Sequence, residues 1–236
     1  MKNNIAIVTG ASSGLGRAIS IELSKNKYHM ILVARNIKEL NITSNIISEK
    51  GGVCSIIQTD ITNKKSVDNM IFQVSKIGFV DIIINNAGIG IFKPIEKMSI
   101  KDWDSQISVN LRGSFLVTRG FISNMKKKKK GMIVFINSIA GKQGYPFSSA
   151  YVSSKYGLRG FSESLRLELR KYNIKVISIY PGALKTPFWN NIDIDITNEE
   201  IMSDKEVSDS IMHCINQNKV ATIEELVIRR TAGDIE

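Results

Sequence analysis

The chain has 236 residues, 43% of them apolar and 23% charged, with a formal net charge of +10 and two cysteines. That is enough chain for one large or two small soluble globular domains with a real core. Cys54 and Cys214 lie far apart, without CxxC spacing or a nearby His, which argues against a disulfide framework and against a metal site.

No stretch approaches the ~18 apolar residues of a membrane span. Met1-Lys2-Asn3-Asn4 runs straight into Ile5-Ala6-Ile7-Val8, too short a run for a signal peptide. A cytoplasmic protein that is not a membrane protein is expected. The basic excess gathers at Lys126 to Lys130, at the end of a predicted helix, where cations complement the negative end of the helix dipole. A nucleic-acid partner is not expected, because neither a zinc-finger spacing nor an RNP-like aromatic strand accompanies the charge.

Short β-branched runs occur at 5–9, 29–34, 53–58, 80–84, 132–137, 174–180 and 224–228. Helical stretches lie between most of them, at 14–26, 37–50, 64–76, 102–129, 149–172 and 204–217. Most of the strand runs lack polar alternation, as strands covered on both faces do. The alternation predicts βαβ units: one single-domain, doubly wound parallel sheet of about seven strands over 1–236, with helices on both faces.

The first strand runs into Thr9-Gly10-Ala11-Ser12-Ser13-Gly14-Leu15-Gly16, and a helical pattern starts at once. Glycines there permit tight backbone angles, and a helix N-terminus offers free N–H groups to a phosphate. The alternative is a turn that only allows close packing; its place in the first βαβ unit favours dinucleotide binding. The second strand ends in Ala34-Arg35, with no carboxylate before Glu39. An acidic residue at that position suits the ribose of NAD(H) and an Arg the 2′-phosphate of NADP(H), so NADP is the expected cofactor. Ser12 and Ser13 can add hydroxyl donors. Asp60, after the third strand, either accepts from an adenine amino group or caps the next helix.

Asn85-Asn86-Ala87-Gly88 follows the fourth strand and suits a wall against a flat ligand. Asn110 interrupts the long helical region, as a kink or as the holder of an ordered water. Ser138 ends the fifth strand. Tyr151-Val-Ser-Ser-Lys155 places a phenol and an ammonium on one helix face, where the cation is expected to lower the phenol's pKa. The same helix carries an apolar stripe (Leu158, Phe161, Leu165, Leu169, Tyr172) and a small-residue stripe (Ser153, Gly157, Gly160, Ser164), which together predict burial on two sides and a partner subunit. The sixth strand ends in Tyr180-Pro181-Gly182, followed by Thr186 and a lid expected over 187–203 that contains Phe188 and Trp189.

Taken together, Thr9-Gly10-x-x-x-Gly14-x-Gly16, Asn85-Asn86-Ala87-Gly88, Asn110, Ser138, Tyr151-x-x-x-Lys155 and Pro181-Gly182 with Thr186 resemble the short-chain dehydrogenase/reductase family over essentially the whole chain. The resemblance implies a Rossmann-like fold, a nicotinamide cofactor, and hydride transfer between that cofactor and a carbonyl or secondary alcohol. It implies Tyr151 as general acid/base, with Lys155 lowering its pKa and bonding the nicotinamide ribose. Ser138 would bond the substrate oxygen, and Asn110 would hold a water in a relay with Lys155.

Gly10, Ser12, Gly14, Leu15 and Gly16 would line the pyrophosphate turn, with Arg35 as the NADP determinant. Asp60 and Ile61 would flank adenine, Asn86, Ala87 and Gly88 the adenosine ribose, and Pro181, Gly182 and Thr186 the nicotinamide. A small carbonyl or hydroxy substrate is expected, met by Phe92, Tyr145, Phe188 and Trp189. The chain feels closest to oxoacyl-carrier-protein reductases and 3-hydroxy acid dehydrogenases, and a homodimer or homotetramer is expected. The competing readings are a dinucleotide sensor without catalysis on the same fold and a nucleic-acid binder.

Overall fold

The structure is a computed structural model and describes residues 4–185, 201–217 and 220–233. Seven parallel strands form one sheet: β1 (Ile5–Thr9), β2 (His29–Ala34), β3 (Val53–Gln58), β4 (Val80–Asn85), β5 (Gly131–Ile136), β6 (Ile174–Pro181) and β7 (Glu225–Ile228). Their order across the sheet is β3-β2-β1-β4-β5-β6-β7, so the chain reverses direction of travel beside β1 and β4. Ligands of open α/β sheets bind at such a reversal, outside the carboxyl ends of the strands.

The helices are α1 (Gly14–Lys25), α2 (Ile37–Glu49), α3 (Lys64–Ile77), α4 (Ile100–Ile107), α5 (Ser114–Lys128), α6 (Ser149–Leu169) and α7 (Asp204–Ile215). Alternation along β1 shows how they divide. Ile5 and Ile7 join a core with α3, α5 and α6. Ala6 and Val8 join a second core with α1, α2 and α7. Both faces of the central strands are therefore covered, which is why those runs show no polar alternation.

Three details depart from expectation. The helix expected over 102–129 starts at Ile100, where the Ser99 side chain accepts from Asp102 N. It then widens into a π-helical stretch, Ser108–Gly113, before α5. Such a widened turn marks a local interruption of the α ladder, and Asn110 sits inside it. The strand expected to end at 137 ends at Ile136, although Asn137 N still donates to Ile179 O at 2.7 Å.

Lys126 to Lys130 do lie at the end of α5. Lys130 pairs with Asp81 at 2.5 Å and Lys126 lies 5.0 Å over the Tyr172 ring, so part of this charge serves the fold locally. Among the described residues no helix is long and apolar enough to cross a membrane.

Candidate active site

The glycine turn is held shut from below by side chains. Thr9 Oγ1 accepts from the backbone N–H groups of Asn86 (3.0 Å) and Ala87 (3.1 Å). The Asn86 amide donates to the carbonyls of Thr9 (3.0 Å) and Gly10 (3.3 Å). Asn86 is thus a brace beneath the turn, while Ala87 and Gly88 continue the wall beyond it. Gly10 and Gly14 have φ of 67° and 48°, in the left-handed region that glycine tolerates. A Cβ on Gly16 would collide with the Gly10 carbonyl and the Asn86 amide.

Ser13 caps α1 in extended conformation with no side-chain bond to the helix, and the first turn holds no acidic residue. The free N–H groups there fit a pyrophosphate. Leu15 and Ile61 lie in the core with 5% and 7% exposure.

At the end of β2, Arg35 is exposed and has no ion pair among the described residues. The nearest carboxylate that follows, Glu39, is held by Arg17 at 2.7 Å, and Arg17 also donates to Thr43 and to the Ser12 carbonyl. Asp60 turns inward: its Oδ1 accepts from the Thr62 backbone (2.9 Å) and hydroxyl (2.7 Å). Partial burial raises the Asp60 pKa, but the Thr62 bonds and the Arg35 charge outweigh it, and the net direction is downward. The helix-cap alternative for Asp60 is incorrect, since Asn63 caps α3 by accepting from Ser66 N. Arg35 and Thr62 face α4 across a cavity of about 620 Å³ that also touches Ile89 and Val109.

The second half of the site gathers on β5, α6 and the π stretch. The Ser138 hydroxyl is hydrogen-bonded to Tyr151. Lys155 is buried at 4% exposure and donates to the Ile136 carbonyl at 3.1 Å. Its ammonium lies 5.6 Å from the centre of the Tyr151 ring.

Burial dominates both titrations. Desolvation pushes Tyr151 up to about 12, with the Ser138 bond pulling the other way. It pushes Lys155 down to about 7. The expected lowering of the phenol by the cation is therefore absent in the protein alone, because each group pays for leaving water before it gains from the other.

The Asn110 amide is engaged by the protein. Its Oδ1 accepts from Ile89 N at 2.8 Å, and its Nδ2 donates to Ile89 O and Ser154 Oγ, each at 2.9 Å. Asn137, adjacent to Ser138, links the site together. Its Oδ1 accepts from Ser138 N and its Nδ2 donates to Lys155 O. Phe92 packs edge-on to Tyr151, with ring centroids 5.4 Å apart. Tyr145 accepts from Gln143 Nε2 at 2.6 Å.

Pro181 ends β6, and Gly182 N donates to Ile228 O. Thr186, Phe188, Trp189 and the lid expected over 187–203, up to residue 200, lie outside the described residues. Among the described residues no group of three or more His, Cys, Asp or Glu can hold a metal.

A family model described as short chain dehydrogenase matches residues 4–197. The chain belongs to the short-chain dehydrogenase family. It is 31% identical to a sepiapterin reductase of Chlorobaculum tepidum, over 99% of this chain and 98% of that protein. Its fold matches a metagenomic short-chain oxidoreductase in complex with NADP, with a TM-score of 0.85, 30% identity and 97% of each chain covered. It also matches an alcohol dehydrogenase of the archaeon Thermococcus sibiricus complexed with 5-hydroxy-NADP, with a TM-score of 0.91, 26% identity and 99% of each chain covered. As a short-chain dehydrogenase, the chain is an oxidoreductase of Rossmann-like architecture.

Proposed function

We propose that the protein is an NADP(H)-dependent carbonyl reductase, or alcohol dehydrogenase in reverse, with Tyr151 as general acid/base. The observation that carries this reading is the convergence of Ser138, Tyr151 and Lys155 at the strand ends beside the uncapped glycine turn. A dinucleotide sensor has no use for a buried lysine beside a tyrosine hydroxyl. The NADP and 5-hydroxy-NADP bound by the two structural relatives, together with an exposed Arg35 that forms no ion pair among the described residues, support the phosphorylated cofactor.

When bound, the nicotinamide supplies the hydride or takes it. The chain's own residues manage the oxygen. As negative charge grows on a carbonyl oxygen, the hydroxyls of Ser138 and Tyr151 donate to it. Tyr151 then gives its proton, and a high phenol pKa keeps that proton in place at neutral pH until it is needed. Lys155, protonated below about pH 7 in the protein alone, favours the phenolate left behind.

The exposed small-residue stripe of α6, with Ser153, Gly160 and Ser164 open and no atom within 4 Å of a Cβ at Gly160, supports pairing with a second copy. A monomeric mass in light scattering at micromolar concentration contradicts that pairing. The function itself is tested by following NADPH and NADH oxidation against ketones, aldehydes, oxoacyl thioesters, 3-oxo acids and sepiapterin. Turnover with NADPH is expected; NADPH binding without turnover on any compound favours the sensor.

A further inference from the structure

We propose that Gln106 is a positioning residue that locks Phe92 against Tyr151, and that the fixed aromatic edge selects planar, aryl-conjugated carbonyl compounds. The proposal rests on the carbonyl-reductase reading above. Gln106 lies on α4 and is fully buried. Its Oε1 accepts from Ile91 N at 3.0 Å and its Nε2 donates to Ile91 O at 3.3 Å. Asn110, four residues on, holds both backbone groups of Ile89 in the same way.

The spacing explains the match. Four helical residues rise about 6 Å and two extended residues span roughly 6.6 Å, so two amides on one helix face can grip alternate residues of a passing segment. The two side chains stand in for a neighbouring strand. A side-chain amide both donates and accepts from one planar group, so a hydrocarbon at 106 leaves Ile91 N–H and C=O without these partners.

The next residue but one, Lys93, is pinned as well. Its N–H donates to Phe147 O at 2.8 Å and its ammonium pairs with Asp102 at 2.7 Å. Phe92 is therefore clamped on both sides, and its ring is presented to Tyr151 at an interplanar angle of 60°. A ring held in advance beside the proton donor costs a flat substrate little ordering on binding. A branched aliphatic compound gains less from the same wall.

The test compares two substrates with the same reacting core, 1-phenyl-1,2-propanedione and 2,3-butanedione, in wild type, Phe92→Ala, Gln106→Ala, Gln106→Glu and Phe92→Ala/Gln106→Ala. The wild type is expected to prefer the phenyl compound in kcat/KM. Each single variant should lower that preference roughly fivefold to tenfold, mostly through KM, with NADPH affinity retained. The double variant should lower it no further than Phe92→Ala alone, because Gln106 acts through Phe92. Gln106→Glu keeps the acceptor toward Ile91 N–H and serves where Gln106→Ala does not fold. Equal losses on both substrates, or additive effects in the double variant, overturn the inference. A wild type that turns over neither dione nor any other carbonyl compound overturns instead the function on which it rests.

Discussion

The two halves of the site are held by opposite means. At the glycine turn, precision comes from what is missing: Gly16 leaves room for the Gly10 carbonyl, and α1 has no side-chain cap. At the catalytic end it comes from what is added. Asn137, Asn110 and Gln106 reach across from separate elements and tie down the segments that carry Ser138, Lys155, Ile89 and Ile91. The first half fails when an atom is inserted, the second when a polar atom is removed.

Gly16→Ala breaks the first half most severely. The added methyl must displace the turn, at about 3 kcal/mol, or roughly a hundredfold in affinity. NADPH titration by fluorescence should show that loss. An affinity within threefold of wild type means that the turn is looser than described. Arg35→Asp acts on the same half through charge. It should cut NADPH binding roughly tenfold to a hundredfold while leaving NADH nearly unchanged, since it removes a charge-assisted contact and adds a repulsion. Parallel changes for both cofactors contradict the assignment of Arg35.

Asn137→Ala tests the other half. Losing the bonds to Ser138 N and Lys155 O should lower kcat roughly tenfold, on the scale of ~1–2 kcal/mol for a buried amide. NADPH affinity should hold within about twofold, because the glycine turn does not depend on it. A loss of affinity equal to the loss of kcat erases the distinction between the halves.

A pH dependence of stability tests the burial of Lys155. Lys155 has its pKa lowered from 10.5 to about 7 by burial. Between those values the unfolded chain binds more protons than the folded one, so the stability owed to this group rises with pH from about 7 and levels off near 10.5. Thermal unfolding of the cofactor-free protein from pH 7 to 9.5 should show a rising Tm that Lys155→Met flattens. Parallel curves contradict a buried, readily deprotonated lysine.

What could be read from sequence follows the same division. Strand positions, the glycine turn and the Tyr151–Lys155 pair are contiguous patterns with a period or a spacing, and they appear in the structure within a residue or two of where they were expected. The amide clasps carry no local pattern. Gln106 in a helix reads as a surface residue, and nothing near it in sequence reveals that Ile91 will lie alongside.

The π stretch around Asn110 had one faint signal, an Asn between Val109 and Leu111, which pointed to an interruption but not to its partners. Asp60 and Asn63 compete for the same cap position, and only the backbone path decides for Asn63. The lowering expected for the Tyr151 phenol is not found because helix spacing indicates proximity but not burial, and burial is the larger effect.

The most direct test of the whole account is NADPH oxidation, followed at the absorbance of the reduced nicotinamide, by wild type and Tyr151→Phe on the best compound of the carbonyl panel. The account predicts wild-type turnover, and in Tyr151→Phe a rate lower by about 10²–10⁴-fold with NADPH binding intact. Equal turnover by the two proteins would contradict it.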